Sequence, residues 1–241
     1  LASAASLTSN GGNITLGGGT TVATGYAIGA GLVTDGITLY QATISAGAGN
    51  VILNGKGKST GGIGVYIYGN DSATASANDS GITTTTGNIT INGYGVSSLG
   101  LYLLKPNTHI ISSSGNISIQ STGGVELYYT SGAVGVSPKI VTAGGGSVTL
   151  NSTATVSLNS SFIQSENGNI EIDVTNAINQ IWGAYFKTTG SGDIVVTTSS
   201  GNISLGGNNV GGAWADGTGA ITVTSGGNIT VGNELRSTAG A

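Results

Sequence analysis

Apolar and polar residues alternate along this chain in short bursts, each opened by the same punctuation. A Gly, an Asn, a β-branched residue, a small polar residue and an aliphatic residue follow one another as Gly12-Asn13-Ile14-Thr15-Leu16, Gly49-Asn50-Val51-Ile52-Leu53 and Gly87-Asn88-Ile89-Thr90-Ile91. The phrase returns as Gly115-Asn116-Ile117-Ser118-Ile119, Gly146-Ser147-Val148-Thr149-Leu150, Gly168-Asn169-Ile170-Glu171-Ile172, Gly201-Asn202-Ile203-Ser204-Leu205 and Gly227-Asn228-Ile229-Thr230-Val231. Successive copies are 37, 38, 28, 31, 22, 33 and 26 residues apart. A constant phrase at irregular spacing means a fixed strand between variable loops. Alternation with period two is the mark of a β-strand with one buried side.

Aligned, the copies form two apolar columns. The first runs Ile14, Val51, Ile89, Ile117, Val148, Ile170, Ile203 and Ile229; the second runs Leu16, Leu53, Ile91, Ile119, Leu150, Ile172, Leu205 and Val231. Similar inward residues at one height are what a parallel β-solenoid requires, each coil adding a rung about 4.8 Å along the axis. Two further strand patterns fill each coil. One carries tyrosine, in Gly25-Tyr26-Ala27-Ile28, Val65-Tyr66-Ile67-Tyr68, Leu101-Tyr102-Leu103-Leu104, Leu127-Tyr128-Tyr129 and Ala184-Tyr185-Phe186. The other precedes each Gly-Asn phrase, in Ala42-Thr43-Ile44, Ile82-Thr83-Thr84, His109-Ile110-Ile111, Lys139-Ile140-Val141, Phe162-Ile163-Gln164, Ile194-Val195-Val196 and Ile221-Thr222-Val223. Three strands per coil make a triangular prism, with long stretches such as 69–80 bulging from it. The expected fold is all-β, a parallel β-helix of roughly seven to eight coils. Seven full coils span about 34 Å, and residues 1–241 form a single domain.

The Asn column (Asn13, Asn50, Asn88, Asn116, Asn169, Asn202 and Asn228, with Ser147 as the exception) has a physical reading. Asn tolerates a left-handed turn backbone, and stacked amides can hydrogen-bond along a ladder. The preceding Gly is expected to supply the turn. Several copies spell the glycosylation acceptor Asn-x-Ser/Thr, yet there the Ser/Thr is simply the outward strand residue.

Composition narrows the chemistry. Of 241 residues 45 are Gly, Cys and Met are absent, and six basic residues face ten acidic ones for a net charge of −4. Without Cys there are no disulfides and no thiolate-based zinc or iron–sulfur sites. The charge balance gives no electrostatic footprint for nucleic acid. No apolar run approaches the roughly 20 residues of a membrane-spanning helix. Regularly spaced aliphatics argue against disorder despite the glycine content.

The Gly-Asn-Ile-Thr-Ile phrase, the Ser/Thr/Gly-rich turns, the lack of Cys and the variable coil length resemble the haemagglutinin-type repeats of filamentous haemagglutinin. The resemblance covers residues 12–231. It implies a right-handed parallel β-helix belonging to a secreted or surface-bound bacterial exoprotein of the two-partner secretion kind, often an adhesin or biofilm component. Both prolines follow Lys105 and Ser137, so the Asn-Pro motifs of that family's secretion domain have no counterpart, and the chain reads as an internal segment.

Candidate sites are few. Glu171 and Asp173 share one strand face, with Asp193 and Lys187 nearby in sequence, the minimum for acid–base work on a polysaccharide; isolated carboxylates at solvent positions explain them as well. Gly55-Lys56-Gly57-Lys58-Ser59-Thr60 imitates the end of a phosphate-binding loop, but Ile52 stands where its first Gly belongs. Gly211-Gly212-Ala213-Trp214-Ala215-Asp216-Gly217 is a faint match to a calcium-binding nonapeptide, without tandem repetition. Asp71 and Asp79 in the 69–80 stretch are a further pair of cation ligands, or solvated turn residues. Tyr26, Tyr66, Tyr68, Tyr102, Tyr128, Tyr185, Trp182 and Trp214 fall on or near the tyrosine-bearing strands. Facing outward they form a strip for sugar rings or another protein, and facing inward they are core ladders.

The expected function is therefore structural or adhesive and non-catalytic, outside the cell or on a bacterial surface, with no cofactor or metal. Neither end carries a capping amphipathic helix, and an uncapped solenoid exposes strand edges. Partners are neighbouring repeats or copies stacked end to end, and surface glycans are the alternative through Tyr66, Tyr68, Tyr102, Tyr128, Tyr185 and Trp214. A polysaccharide lyase or hydrolase is the remaining reading.

Overall fold

The computed structural model describes residues 1, 5–18, 25–29, 34–70, 79–130, 136–207 and 211–238. Among them the chain winds into a parallel β-solenoid of 24 strands on three faces, as the periodicity predicts. The first face stacks Ile14–Leu16, Val51–Lys56, the starts of Ile89–Leu104 and Ile117–Tyr128, then Val148–Ser152, Ile170–Val174, Ile194–Thr198 and Ile221–Ser225. The second stacks Ile37–Tyr40, Val65–Tyr68, the ends of the same two long strands, then Val156–Asn159, Ile178–Ile181, Ile203–Leu205 and Ile229–Val231. The third runs from Ser6–Thr8 through Thr43–Ser45, Ser80–Thr84, Thr108–Ser112, Lys139–Thr142, Phe162–Ser165, Tyr185–Thr188 and Gly212–Ala215 to Glu234–Ser237. Because two strands bend through the corner, the first two faces form one 15-stranded sheet beside a separate 9-stranded one.

The last two Gly-Asn phrases occupy a different face from the first six. Ile203 pairs with Ile178 and Ile229 with Ile203, on the second face. The first face continues instead through Ile194 on Ile170 and Ile221 on Ile194. Ile194-Val195-Val196 and Ile221-Thr222-Val223 thus belong to the first face, and Tyr185-Phe186 to the third. The phrase encodes a turn followed by an in-out-in strand, which suits any corner of a prism.

The core is a bundle of axial columns. Val51, Ile89, Val148, Ile170 and Ile194 on the first face are fully buried, as are Ile67, Leu103, Leu127 and Leu158 on the second. On the third face Ile82, Ile110, Ile140 and Ile163 lead to Phe186 and then Ala213. The large ring is followed by the smallest side chain, which keeps the column filled. Each buried aliphatic contributes about 1.5–3 kcal/mol, and the columns merge into one hydrophobic cluster running from Ile14 to Ala213.

The phrase glycines are needed for a reason other than a left-handed turn, since none of those on the first face has positive φ. A Cβ on Gly49, Gly87, Gly115, Gly146, Gly168, Gly192 or Gly219 would strike the carbonyl oxygen of the glycine one coil below. The coils approach so closely here that only hydrogen fits. Hydroxyls at this corner satisfy the turn carbonyls: Thr84 and Ser112 both donate to the Gly87 oxygen (2.6 and 3.1 Å), and Thr142 and Ser165 to that of Gly146 (2.6 and 2.9 Å). Left-handed backbone at this corner falls one or two residues before the phrase glycine, at Gly11, Gly47 and Gly144, and it recurs at the corner between the second and third faces, at Gln41, Lys105, Ser160, Trp182 and Gly206.

Candidate functional site

The asparagine column is a hydrogen-bonded ladder, although of a different kind from amide stacking. The side-chain oxygen of each residue accepts the backbone N–H of its counterpart one coil on: Asn13 from Asn50 (2.9 Å), Asn50 from Asn88 (2.8 Å), Asn88 from Asn116 (2.8 Å) and Asn116 from Ser147 (2.9 Å). Ser147 continues it, its hydroxyl oxygen accepting from the Asn169 N–H (3.1 Å), while Asn169 accepts from Asp193 (2.9 Å) and Asp193 from Ala220 (2.8 Å). Amides also meet directly where Asn50 Nδ2 donates to Asn13 Oδ1 (3.2 Å). Asn202 and Asn228 form their own rung at the next corner (2.8 Å). None of these asparagines uses positive φ. Each oxygen satisfies a strand-entry N–H that the parallel sheet leaves unpaired.

The aromatic residues divide into separate groups. On the second face, Tyr66, Tyr68 and Tyr102 point outward between the buried Val65, Ile67, Leu101 and Leu103. Tyr40 stacks on Tyr68 (centroids 5.0 Å apart, planes within 5°) and Tyr66 on Tyr102 (5.4 Å, 13°), while Tyr66 meets Tyr68 edge-on at 5.8 Å. Tyr128 lies one rung beyond Leu104 in the column of Tyr40 and Tyr68. Tyr26 and Tyr94 contact each other edge-on near the first corner, with Lys56 Nζ 4.7 Å from the Tyr94 centroid. Tyr185 and Trp214 sit on the third face, in a stack with Phe162 at 4.9 and 4.8 Å. Trp182 stands apart at a corner, 54% exposed.

The geometry of these stacks limits what they can hold. Rings piled along the axis cover one another's faces and present edges and hydroxyls outward, whereas a sugar ring packs against an open aromatic face. Burial, and next the neighbouring Tyr102, raises the Tyr66 phenol well above its usual range. Burial, then the Glu126 carboxylate, pushes Tyr102 up to about 12. Both remain protonated donors at neutral pH. The Trp214 indole lies between cations, Lys187 Nζ and Arg236 Cζ each 5.9 Å from its ring, and Asp216 holds both (2.9 Å to Lys187, 2.6 Å to Arg236). Burial opposes ionisation of Asp216, but the hydrogen bonds from Lys187 and Arg236 prevail and hold its carboxyl below the ordinary value. The Gly211–Gly217 stretch is thus a third-face strand whose Asp216 clamps two basic side chains.

The other candidates are scattered. Glu171 and Asp173 point outward, both exposed, on the open first face, while Lys187 is on the third face and Asp193 belongs to the ladder. Lys56 ends a first-face strand and covers Tyr94. Asp71 lies outside the described residues. Asp79 neighbours His109, which is almost fully buried over Gly81 and whose imidazole is pushed below its usual value by burial. Among the described residues no three His, Cys, Asp or Glu side chains gather as a metal site, and no helix is long and apolar enough to cross a membrane. Sequence reasoning missed Asp193 and Ala220 as ladder positions, although Gly192-Asp193-Ile194-Val195-Val196 and Gly219-Ala220-Ile221-Thr222-Val223 carry the phrase with its second residue replaced. No family model matches the chain, and neither a curated protein nor a solved structure shows significant similarity to it.

Proposed function

We propose that this chain is a structural, adhesive-scaffold segment of a secreted bacterial surface or filament-forming protein of the filamentous-haemagglutinin kind, non-catalytic and built to extend along its axis. The observation that carries the reading is the direction of its cohesion. Strand hydrogen bonds, the Asn13-to-Ala220 ladder, the glycine contacts and the aromatic stacks all join one coil to the next. Coil length varies from 22 to 38 residues along that ladder without interrupting it, so surface loops diverge while the shaft is retained.

The rung of Ile221–Ser225, Ile229–Val231 and Glu234–Ser237 extends this logic. Its strands are paired on one edge, and Ile229, Val231 and Leu235 remain 48, 42 and 42% exposed where their counterparts in earlier coils are sealed. A further coil laid on this rung, from the same polypeptide or a second copy, would bury them. Electron microscopy and sedimentation of the 241-residue chain test the second case. End-to-end assembly yields fibres with an axial repeat near one molecule, and Val231→Lys disperses them. Discrete rods at every concentration, with the amides of 221–237 exchanging rapidly, would refute assembly of this chain by stacking.

A further inference from the structure

Beside the first corner runs a row of side chains that neither the ladder nor the aromatic stacks use. Asn54, Asn92, Gln120, Asn151 and Asp173 hold one outward column of the first face on five consecutive rungs. In the lower coils the row is closed: Asn92 Nδ2 donates to Asn54 Oδ1 at 2.7 Å, and the two residues are 4% and 1% exposed. From Gln120 onward it opens into a groove of about 270 Å³, with Gln120, Asn151 and Asp173 on one side and Thr122, Thr153 and Thr175 on the other. The opening coincides with the irregular register between Thr122 and Val125, where the long strand turns the corner.

We propose that this groove binds a neutral pyranose oligosaccharide lying parallel to the solenoid axis. Its floor is already fixed. Ser121 donates to the Gly123 and Gly124 carbonyls (3.0 and 3.1 Å), Ser152 to Gly123 (2.8 Å), and Thr153 Oγ1 accepts the Gly123 N–H (3.1 Å). The groove is thus preorganised, and the heads of the amide row face solvent.

The lining chooses the ligand class. Every lining side chain is an amide, a hydroxyl or a carboxylate. With no aliphatic or aromatic side chain in the lining, only threonine methyls and side-chain methylenes offer apolar contact, too scattered to hold an apolar molecule or a nucleobase by packing. No Lys or Arg lines the groove, and Asp173 with the outward Glu171 beside it repels anions such as uronates. What remains is a neutral molecule dense in hydroxyls. Gln120 and Asn151 each donate and accept, and Asp173 accepts from two hydroxyls. Three rungs span about 10 Å, close to one pyranose residue per rung. This site is independent of the scaffold reading above, since it holds whether or not the coils stack into fibres.

The test is a titration of the ¹⁵N-labelled chain with cellotetraose, maltotetraose and mannotetraose, and separately with trigalacturonate. At least one neutral tetrasaccharide is expected to shift, saturably, the side-chain amides of Gln120 and Asn151 together with the backbone amides of 121–124 and 152–153. Asp173→Leu should weaken that binding at least tenfold and Asn151→Ala about fivefold, while Tyr66→Ala leaves it unchanged. Both groove positions are outward, and an otherwise unaltered spectrum verifies the fold of each variant. Failure of all three neutral sugars at 20 mM, tighter binding of trigalacturonate, or wild-type affinity in Asp173→Leu overturns the proposal. Loss of binding in Tyr66→Ala with retention in Asp173→Leu overturns it too, by moving the contact to the tyrosine face.

Discussion

Three adjacent glycines, Gly144, Gly145 and Gly146, should respond to alanine in three different ways. At Gly146 φ is unremarkable, but a Cβ would point down the axis at the Gly115 carbonyl oxygen, about an ångström inside the ~3.3 Å at which carbon and oxygen ordinarily touch. Relief requires the corner to lift by that amount. The bonds that then stretch out of range are Ser147 N–H to Asn116 Oδ1 and Ile117 N–H to the Ser147 oxygen, both 2.9 Å. At about 1 kcal/mol each, plus compression against Gly168 above, the cost is about 3 kcal/mol. A more restricted unfolded chain returns up to about 1 kcal/mol, leaving a net loss of about 2 kcal/mol. Gly144 has φ +100°, so alanine there costs about 1–2 kcal/mol, chiefly through left-handed strain, with the Ser113 carbonyl oxygen 3.1 Å from the added Cβ. At Gly145 a Cβ meets nothing within 4 Å and φ is not left-handed, so Gly145→Ala should be neutral or stabilising by up to about 1 kcal/mol. Equilibrium urea unfolding followed by far-UV circular dichroism reads all three. Equal midpoints for Gly145→Ala and Gly146→Ala would show that inter-coil contact is not why the phrase begins with glycine.

Asn116→Ala removes the acceptor of the Ser147 N–H and should cost about 0.5–1.5 kcal/mol with faster exchange of the Ser147 amide; Asn116→Asp, which keeps the acceptor as Asp193 does, should restore protection at pH 7. Because the Asp216 carboxyl titrates lower when folded than its unfolded value of 3.8, its stabilisation is complete above that value and disappears as pH falls through the folded pKa. Trp214 fluorescence melts between pH 2 and 5 should therefore lose an acid-dependent component in Asp216→Asn, and an unchanged pH profile would remove the clamp from the account. Ala213→Ile alone should overpack the third-face column beside Phe186, costing about 1–3 kcal/mol. The pair Phe186→Ile with Ala213→Ile should recover most of that loss, with a coupling of about 0.5–3 kcal/mol in a double-mutant cycle.

The strands and the core were legible because a solenoid repeats its constraints. Each inward position meets the same position one rung away, so Ile and Val recur at Ile89, Ile117, Val148 and Ile170. The assignment of faces was not legible. Gly201-Asn202-Ile203 is locally indistinguishable from Gly168-Asn169-Ile170, and only the pairing of Ile194 with Ile170 puts them on different faces. The corners with left-handed backbone were equally hidden, since Gln41, Lys105, Ser160 and Trp182 are not residue types that announce positive φ, even where Trp182-Gly183 forms a tight turn closed by the Ala184 N–H on the Ile181 oxygen.

The glycines show how a correct pattern can carry an incomplete cause. From sequence, Gly before Asn reads as a turn, and the turn is there; yet what excludes a side chain at Gly87 or Gly146 is the carbonyl one coil below, an atom supplied by a residue 38 or 31 positions earlier. The same separation hid the groove. Gln120, Asn151 and Asp173 share no local motif and become a row only once Ile117, Val148 and Ile170 are placed in register. In this fold the residues that repeat hold each coil to the next. The outward positions are free to differ, and the register set by the repeated residues decides which of them stand side by side.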